Sequence, residues 1–250
     1  MITAALSPVP AVLGLAALSV VSTAAGVGLA VRLGERRRLQ SVGIGFSVGV
    51  MVTIAVTVLL PEAASGSSLP TAVAAAAAGA VVLAGAHLLI PHRHLVDEPR
   101  TTVRIPTRVV YLVAVGLILH DVPEGFAMAE AYELSPRLGV VVAVAILVHN
   151  VPEEFAMALP AVMARRWRFL AAAAVASAAA EPAGAALGLL GTSVFPALTP
   201  VLLAFAAGAM VFVSFHELVP VGRAVGRTWE VATGAGTGAL MVTVFDLVLR

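Results

Sequence analysis

The chain has 250 residues, 60% of them apolar and 12% charged, with a formal net charge of +1 and no cysteine. An ordinary soluble domain is about 45–50% apolar and about 25% charged, so one soluble core cannot hide this much apolar surface, and lipid must be the solvent for much of it. The near-neutral charge gives no sign of a nucleic-acid partner, and the lack of cysteine excludes disulfides and thiolate metal sites.

A membrane helix needs about 20 mostly apolar residues. Eight stretches qualify, at roughly 8–31, 41–60, 70–90, 107–130, 138–163, 168–191, 198–219 and 229–249. The first has no basic region ahead of it and is followed by Arg36, Arg37 and Arg38, so it reads as a retained span rather than a signal peptide. The second carries Phe46-x-x-Gly49-x-Met51 and then Pro61; the seventh repeats them as Phe205-x-x-Gly208-x-Met210 and Pro220, every pair 159 residues apart. Between spans three and four lies a polar loop, 91–106, expected on the cytoplasmic side and bearing His92 and His94.

Spans four and five carry the chemistry. His120-Asp-Val-Pro-Glu-Gly-Phe-Ala-Met-Ala129 and His149-Asn-Val-Pro-Glu-Glu-Phe-Ala-Met-Ala158 match at an offset of 29. His120 lies 13 residues beyond Thr107, or roughly 20 Å along a helix, which is near mid-bilayer. Ionisable groups at that depth are costly and mark a pathway or site. His120 and Glu124 are i,i+4, as are His149 and Glu153, so each pair shares a helical face. Asp121 and Glu124 are i,i+3, as are Asn150 and Glu153. Facing the two helices makes a pocket of two histidines and two glutamates, with an adjoining pocket of Asp121, Asn150 and the same glutamates. Glu181 in span six lies at matching depth and can complete the second pocket. Pro123, Pro152 and Pro182 each free a carbonyl one turn back, a device tolerated in membranes where a helix lines a cavity.

Arginine placement sets the topology. With the N-terminus outside, thirteen of the fifteen arginines fall inside and only Arg137 and Arg250 outside. The expected fold is therefore an all-α polytopic membrane protein of eight transmembrane helices, with both termini outside. Spans two and seven run in opposite directions, as do four and five. The whole reads as one transporter domain, 1–250, in a 3+2+3 inverted-repeat arrangement with its site near the midplane.

The paired motifs resemble those of the ZIP (Zrt/Irt-like) family of divalent metal transporters, which carry a His-Asn-x-Pro-Glu-Gly motif on helix four and a related His-x-x-Pro-Glu motif on helix five. The resemblance spans nearly the whole chain. It implies inward transport of a divalent cation, Zn2+ first and Cd2+, Fe2+, Mn2+ or Co2+ as alternatives, through a binuclear site by alternating access. It further implies a homodimer in the cell membrane, here the bacterial inner membrane. By that likeness His120, Glu124, His149 and Glu153 hold the first ion, and Asp121, Glu124, Asn150, Glu153 and Glu181 the second. Asp121 departs from the asparagine usual at its position. Glu154 has no role set by the family pattern.

Several features keep two readings. His216 and Glu217, near the inner end of span seven, suit either a release path or solvation, and His92 and His94 suit either metal collection or a solvated loop. Glu62, Glu130 and Glu133, at outer helix ends, suit either electrostatic attraction of cations or, the favoured reading, solvated surface. Met128 and Met157 read as packing, and the glycines at 26, 28, 43, 45, 49, 184 and 188 as close helix contacts. An intramembrane metalloenzyme is disfavoured, because His-x-x-x-Glu is not the His-Glu-x-x-His of zinc proteases. A metal-selective channel or sensor is the other alternative.

Overall fold

The computed structural model describes residues 8–89 and 107–249, and the regular elements of these residues are all helical. Residues 91–106, with His92, His94, Arg93, Arg100 and Arg104, lie outside them. In chain order the α-helices are α1 (Pro8–Ala16), α2 (Ser19–Leu33), α3 (Arg37–Ile54), α4 (Leu60–Gly66), α5 (Leu69–Leu89), α6 (Thr107–Leu134), α7 (Pro136–Met163), α8 (Trp167–Val194), α9 (Thr199–Val213), α10 (Val219–Val225) and α11 (Thr228–Leu249).

Among the described residues, five rods are long and apolar enough to cross a membrane: Pro8–Leu33, Arg37–Gly66, Pro136–Met163, Trp167–Val194 and Pro196–Val225. Their outer surface is aliphatic, with Val20, Val21, Val175, Leu187 and Leu190 exposed, while His120, Glu124, His149 and Glu153 are buried. Charge inside and aliphatic side chains outside is the pattern of a protein whose solvent is lipid. This is a multi-pass membrane protein.

Two rods contain a π-helical turn, at Ala55–Leu59 and Ser214–Leu218. There the N–H groups of Leu60 and Val219 bond five residues back, to the carbonyls of Ala55 and Ser214. Pro61 and Pro220 follow at the first positions of the resumed α-helices, where a missing N–H costs least. The sequence reading ended these spans near 60 and 219, where the apolar runs stop. The widened turn shifts the hydrogen-bond register, and the rods continue to Gly66 and Val225. The two π turns are 159 residues apart, the offset of the sequence repeat, and α6 and α7 begin and end 29 residues apart.

Small residues set the packing. Gly45 and Gly49 of α3 lie against the backbone of Val231 and Ala235 in α11, and Gly234 and Gly238 return the contact at Val42 and Phe46. Gly79 and Gly208 join α5 to α9, and Gly125 and Gly184 join α6 to α8. Without a hydrophobic drive between helices in lipid, such close backbone approach carries the association. Gly26, Gly43, Gly45, Gly49, Gly184 and Gly188 all meet a neighbour closely, but a side chain on Gly28 would meet nothing within 4 Å. Gly28 is therefore no contact residue, contrary to the sequence reading.

Candidate metal centre

His120, Asp121 and Glu124 sit on α6, His149, Asn150, Glu153 and Glu154 on α7, and Glu181 on α8; all are buried. The i,i+4 spacing works as expected on α6, where His120 Nε2 lies 3.1 Å from Glu124 Oε1. Across the helix pair, His149 Nε2 lies 2.9 Å from the same Glu124 oxygen, and His120 Nε2 lies 3.6 Å from Glu153 Oε2. One ligand atom each from His120, Glu124 and Glu153 fall within 4.8 Å of one another. Adjacent donors around a tetrahedral Zn2+ with bonds of ~2.0–2.1 Å are separated by about 3.3 Å. The three distances bracket that edge, so this donor set fits the ion.

The tautomer of His149 sharpens the point. Its Nδ1 lies 2.7 Å from the Ala145 carbonyl oxygen, which requires a proton on Nδ1. In a neutral ring Nε2 then turns a lone pair toward the Glu124 carboxylate. Two acceptors at hydrogen-bond distance must be reconciled by a cation or by an added proton. A histidine fixed through its second nitrogen is the ordinary support of a metal ligand. His120 Nδ1 and Nε2, Glu124 Oε2 and Glu153 Oε1 are buried without a hydrogen bond. His120 Nε2 is therefore in ion-pair range of Glu124 without the alignment of a hydrogen bond. Unpaired buried polar atoms are expensive, and here they converge on one small volume.

The other expected ligands divide into two groups. Asn150 Nδ2 donates to Glu181 Oε2 at 3.1 Å, leaving Asn150 Oδ1 unpaired. Asp121 instead accepts from Ser177 Oγ at 2.6 Å, and the same hydroxyl contacts Glu154 Oε1. Glu154 Oε1 also accepts from Thr23 Oγ1 at 2.9 Å. Ser177 and Thr23 were not singled out in the sequence. The available signal was a polar residue one turn before Glu181 in an otherwise alanine-rich helix. Ser47 of α3 was also missed; its hydroxyl donates to the His149 carbonyl at 2.8 Å and ties the site to a neighbouring rod. Of the carbonyls freed by proline, that of Ala178 faces the Ser19 hydroxyl at 3.5 Å.

His216 and Glu217 lie in the second π turn, with the His216 ring stacked on Phe212 at 4.8 Å and Glu217 within electrostatic reach of His120. Met128 and Met157 are buried among apolar neighbours. Glu62 and Glu133 are exposed. Glu130 is not the solvated residue expected: it is fully buried, and both its carboxylate oxygens lack a hydrogen bond. Its helix runs a turn further than the apolar run suggested, so Glu130 faces α8, with Oε1 beside Gly191, rather than water.

Fold and site together define a polytopic membrane protein with a buried histidine–carboxylate cluster suited to a divalent cation. A family model described as ZIP Zinc transporter matches residues 91–229. Zinc transporter GufA of Myxococcus xanthus is 35% identical over 72% of this chain and 73% of its own length. Zinc transporter ZupT of Stenotrophomonas maltophilia strain K279a is 32% identical over 88% of this chain and 90% of its own. ZupT of Escherichia coli O7:K1 strain IAI39 is 32% identical over 87% and 88%. The chain belongs to the ZIP zinc transporter family, a family of transporters rather than enzymes.

Proposed function

We propose that this protein carries Zn2+ into the cytoplasm across a bacterial inner membrane, by alternating access around a binuclear site. The observation that carries this reading is the convergence of His120, Glu124, His149 and Glu153 at 2.9–3.6 Å, with buried atoms of His120, Glu124 and Glu153 left unpaired. The first ion sits there. A second sits between the bridging Glu124 and Glu153 and the Asn150–Glu181 pair. Asp121, which the resemblance implies for that position, is engaged with Ser177. The direction of transport and a homodimeric assembly follow from the family resemblance. His216 and Glu217 line the release side.

The eight-span, 3+2+3 plan is supported by the matching offsets of the helices and π turns. Each half of such a repeat runs opposite to the other in the membrane. Alternating access is supported by how the rods touch. Backbone-to-backbone approach at glycines joins α2 to α7 and α6 to α8 on one side, and α3 to α11 and α5 to α9 on the other. Between these two groups the glycine contacts are to side chains: Gly43 faces the Pro152 ring and Gly191 faces Leu202. A seam of side-chain contacts slides more readily than interlocked backbones, and the metal ligands all belong to the α2, α6, α7 and α8 group.

Calorimetric titration of the purified protein with Zn2+ tests the site. The wild type is expected to bind Zn2+ in the micromolar range or tighter, and His149→Ala to weaken the first binding event by more than tenfold. Equal isotherms would refute the assignment.

A further inference from the structure

We propose that Asp121, Glu154, Ser177 and Thr23 form a separate, all-oxygen cation site beside the histidine–glutamate cluster, one that takes a hard divalent ion such as Mn2+ or Mg2+. The inference rests on the reading that the cluster itself takes Zn2+.

Asp121 follows His120 and Glu154 follows Glu153, so each carboxylate is turned about 100° around its helix from a ligand of the first site. Both rotations lead to the same place, where α8 and α2 supply Ser177 and Thr23. Four helices thus contribute one oxygen-bearing side chain each, and all four residues are buried. The Ser177 hydroxyl lies 2.6 Å from Asp121 Oδ2 and also contacts Glu154 Oε1; Thr23 Oγ1 lies 2.9 Å from that same oxygen.

Hydrogen bonding alone does not satisfy this arrangement. Ser177 has one proton and faces two carboxylates. Glu154 Oε2 is buried with no partner at all. Among the described residues, no arginine or histidine forms an ion pair with either acid. Two carboxylates held this close in a low dielectric repel strongly unless a cation or added protons offset their charge. A divalent cation matches their combined charge and engages the unpaired Glu154 oxygen. Ser177 and Thr23 then act as neutral oxygen ligands, their protons turning to carbonyls one helical turn back, as helical serine and threonine do.

The donor chemistry separates this site from its neighbour. It contains neither nitrogen nor sulfur, which favours hard ions. The imidazoles a turn away favour Zn2+. Both sites are expected to fill together, each with its own ion. Asp121 in place of the usual asparagine supplies the charge that makes the second kind of site possible.

The test uses the full-length protein in detergent, loaded with saturating Zn2+ and titrated with Mn2+, with bound Mn2+ read by electron paramagnetic resonance. The wild type is expected to retain about one Mn2+ per chain in the presence of Zn2+. Ser177→Ala and Glu154→Gln are expected to weaken Mn2+ binding at least tenfold more than they weaken Zn2+ binding. Asp121→Asn serves as an independent third variant, and unfolding temperature checks that each variant is folded. Displacement of all Mn2+ by Zn2+ mole for mole overturns the proposal, because the ions then share one site. Equal Mn2+ affinity in wild type and folded variants also overturns it, as does Zn2+ binding with no Mn2+ retained, the result if protons alone satisfy the two acids. A wild type that binds no Zn2+ overturns the reading of the central cluster as well.

Discussion

Gly125→Ala changes one methyl group and reaches the metal site through the backbone. Gly125 follows Glu124 on α6 and lies against α8 at Glu181. A methyl group there would sit 2.7 Å from the Glu181 carbonyl carbon and 2.8 Å from the Ala185 nitrogen, whereas ordinary contact begins near 3.4 Å. The Glu181 carbonyl oxygen is closer still, so the helices must separate by more than about 1 Å to reach van der Waals distance. Neither neighbour is a flexible side-chain end, so the strain falls on the helix axes. Overpacking of this kind costs about 1–3 kcal/mol. The functional cost is larger in proportion, because a working metal site holds its ligands to within about 0.2 Å. Glu181 would move away from the Glu124 side of the site by several times that tolerance. The expected loss of Zn2+ affinity is about 10–100-fold, the range seen when the support of a metal ligand is disturbed. Calorimetric titration of the purified variant reads it, with uptake by proteoliposomes as a second measure. Gly28→Ala and Gly236→Ala are the controls, since neither new methyl group meets anything within 4 Å. Wild-type affinity in Gly125→Ala, or an equal loss in the controls, would refute the claim that α6–α8 backbone contact positions the site.

Other expectations follow from single residues. Ser47→Ala removes the donor to the buried His149 carbonyl, a loss of about 1–3 kcal/mol, and the unfolding temperature should fall by several degrees; no change would mean that water or another donor replaces it. Glu130→Met replaces a fully buried carboxylate with no hydrogen bond by an apolar chain of similar length. Thermal unfolding should shift upward, because buried charge without a partner is replaced favourably by apolar volume, and a fall would reveal a partner for Glu130. Zn2+ binding should weaken as pH falls, because imidazole and carboxylate must be deprotonated to bind a metal. Each proton displaced on binding lowers the apparent affinity about tenfold per pH unit below the groups' titration. Titration in buffers of different ionisation enthalpy counts those protons, and a pH-independent affinity would contradict ligation by His120 and His149.

Much of the site was legible because its chemistry is local. His120 with Glu124, and His149 with Glu153, are set one turn apart by the helical period alone, and their repetition at one offset placed the two helices together. The end of the first span was legible where Arg36, Arg37 and Arg38 follow the apolar run. The π turns were not, because proline at 61 and 220 carries the same message whether a helix stops or only shifts its hydrogen-bond register. Gly125, Gly234 and Gly238 were overlooked for a similar reason: which helix a glycine meets depends on tertiary contact, and the composition is rich in glycine throughout. Ser177 and Thr23 matter through partners 23, 56 and 131 residues away in sequence, a relation no periodicity contains. Glu130 misled because polarity near a helix end usually means water, and here the neighbouring helix covers it.

Zn2+ uptake into proteoliposomes bears most directly on whether the His120, Glu124, His149 and Glu153 cluster is the path of the ion. Purified wild-type protein is expected to accumulate radioactive Zn2+ with saturable kinetics, and the folded double variant His120→Ala, Glu153→Ala to fall to the level of empty vesicles. Uptake by the double variant at the wild-type rate would contradict the account.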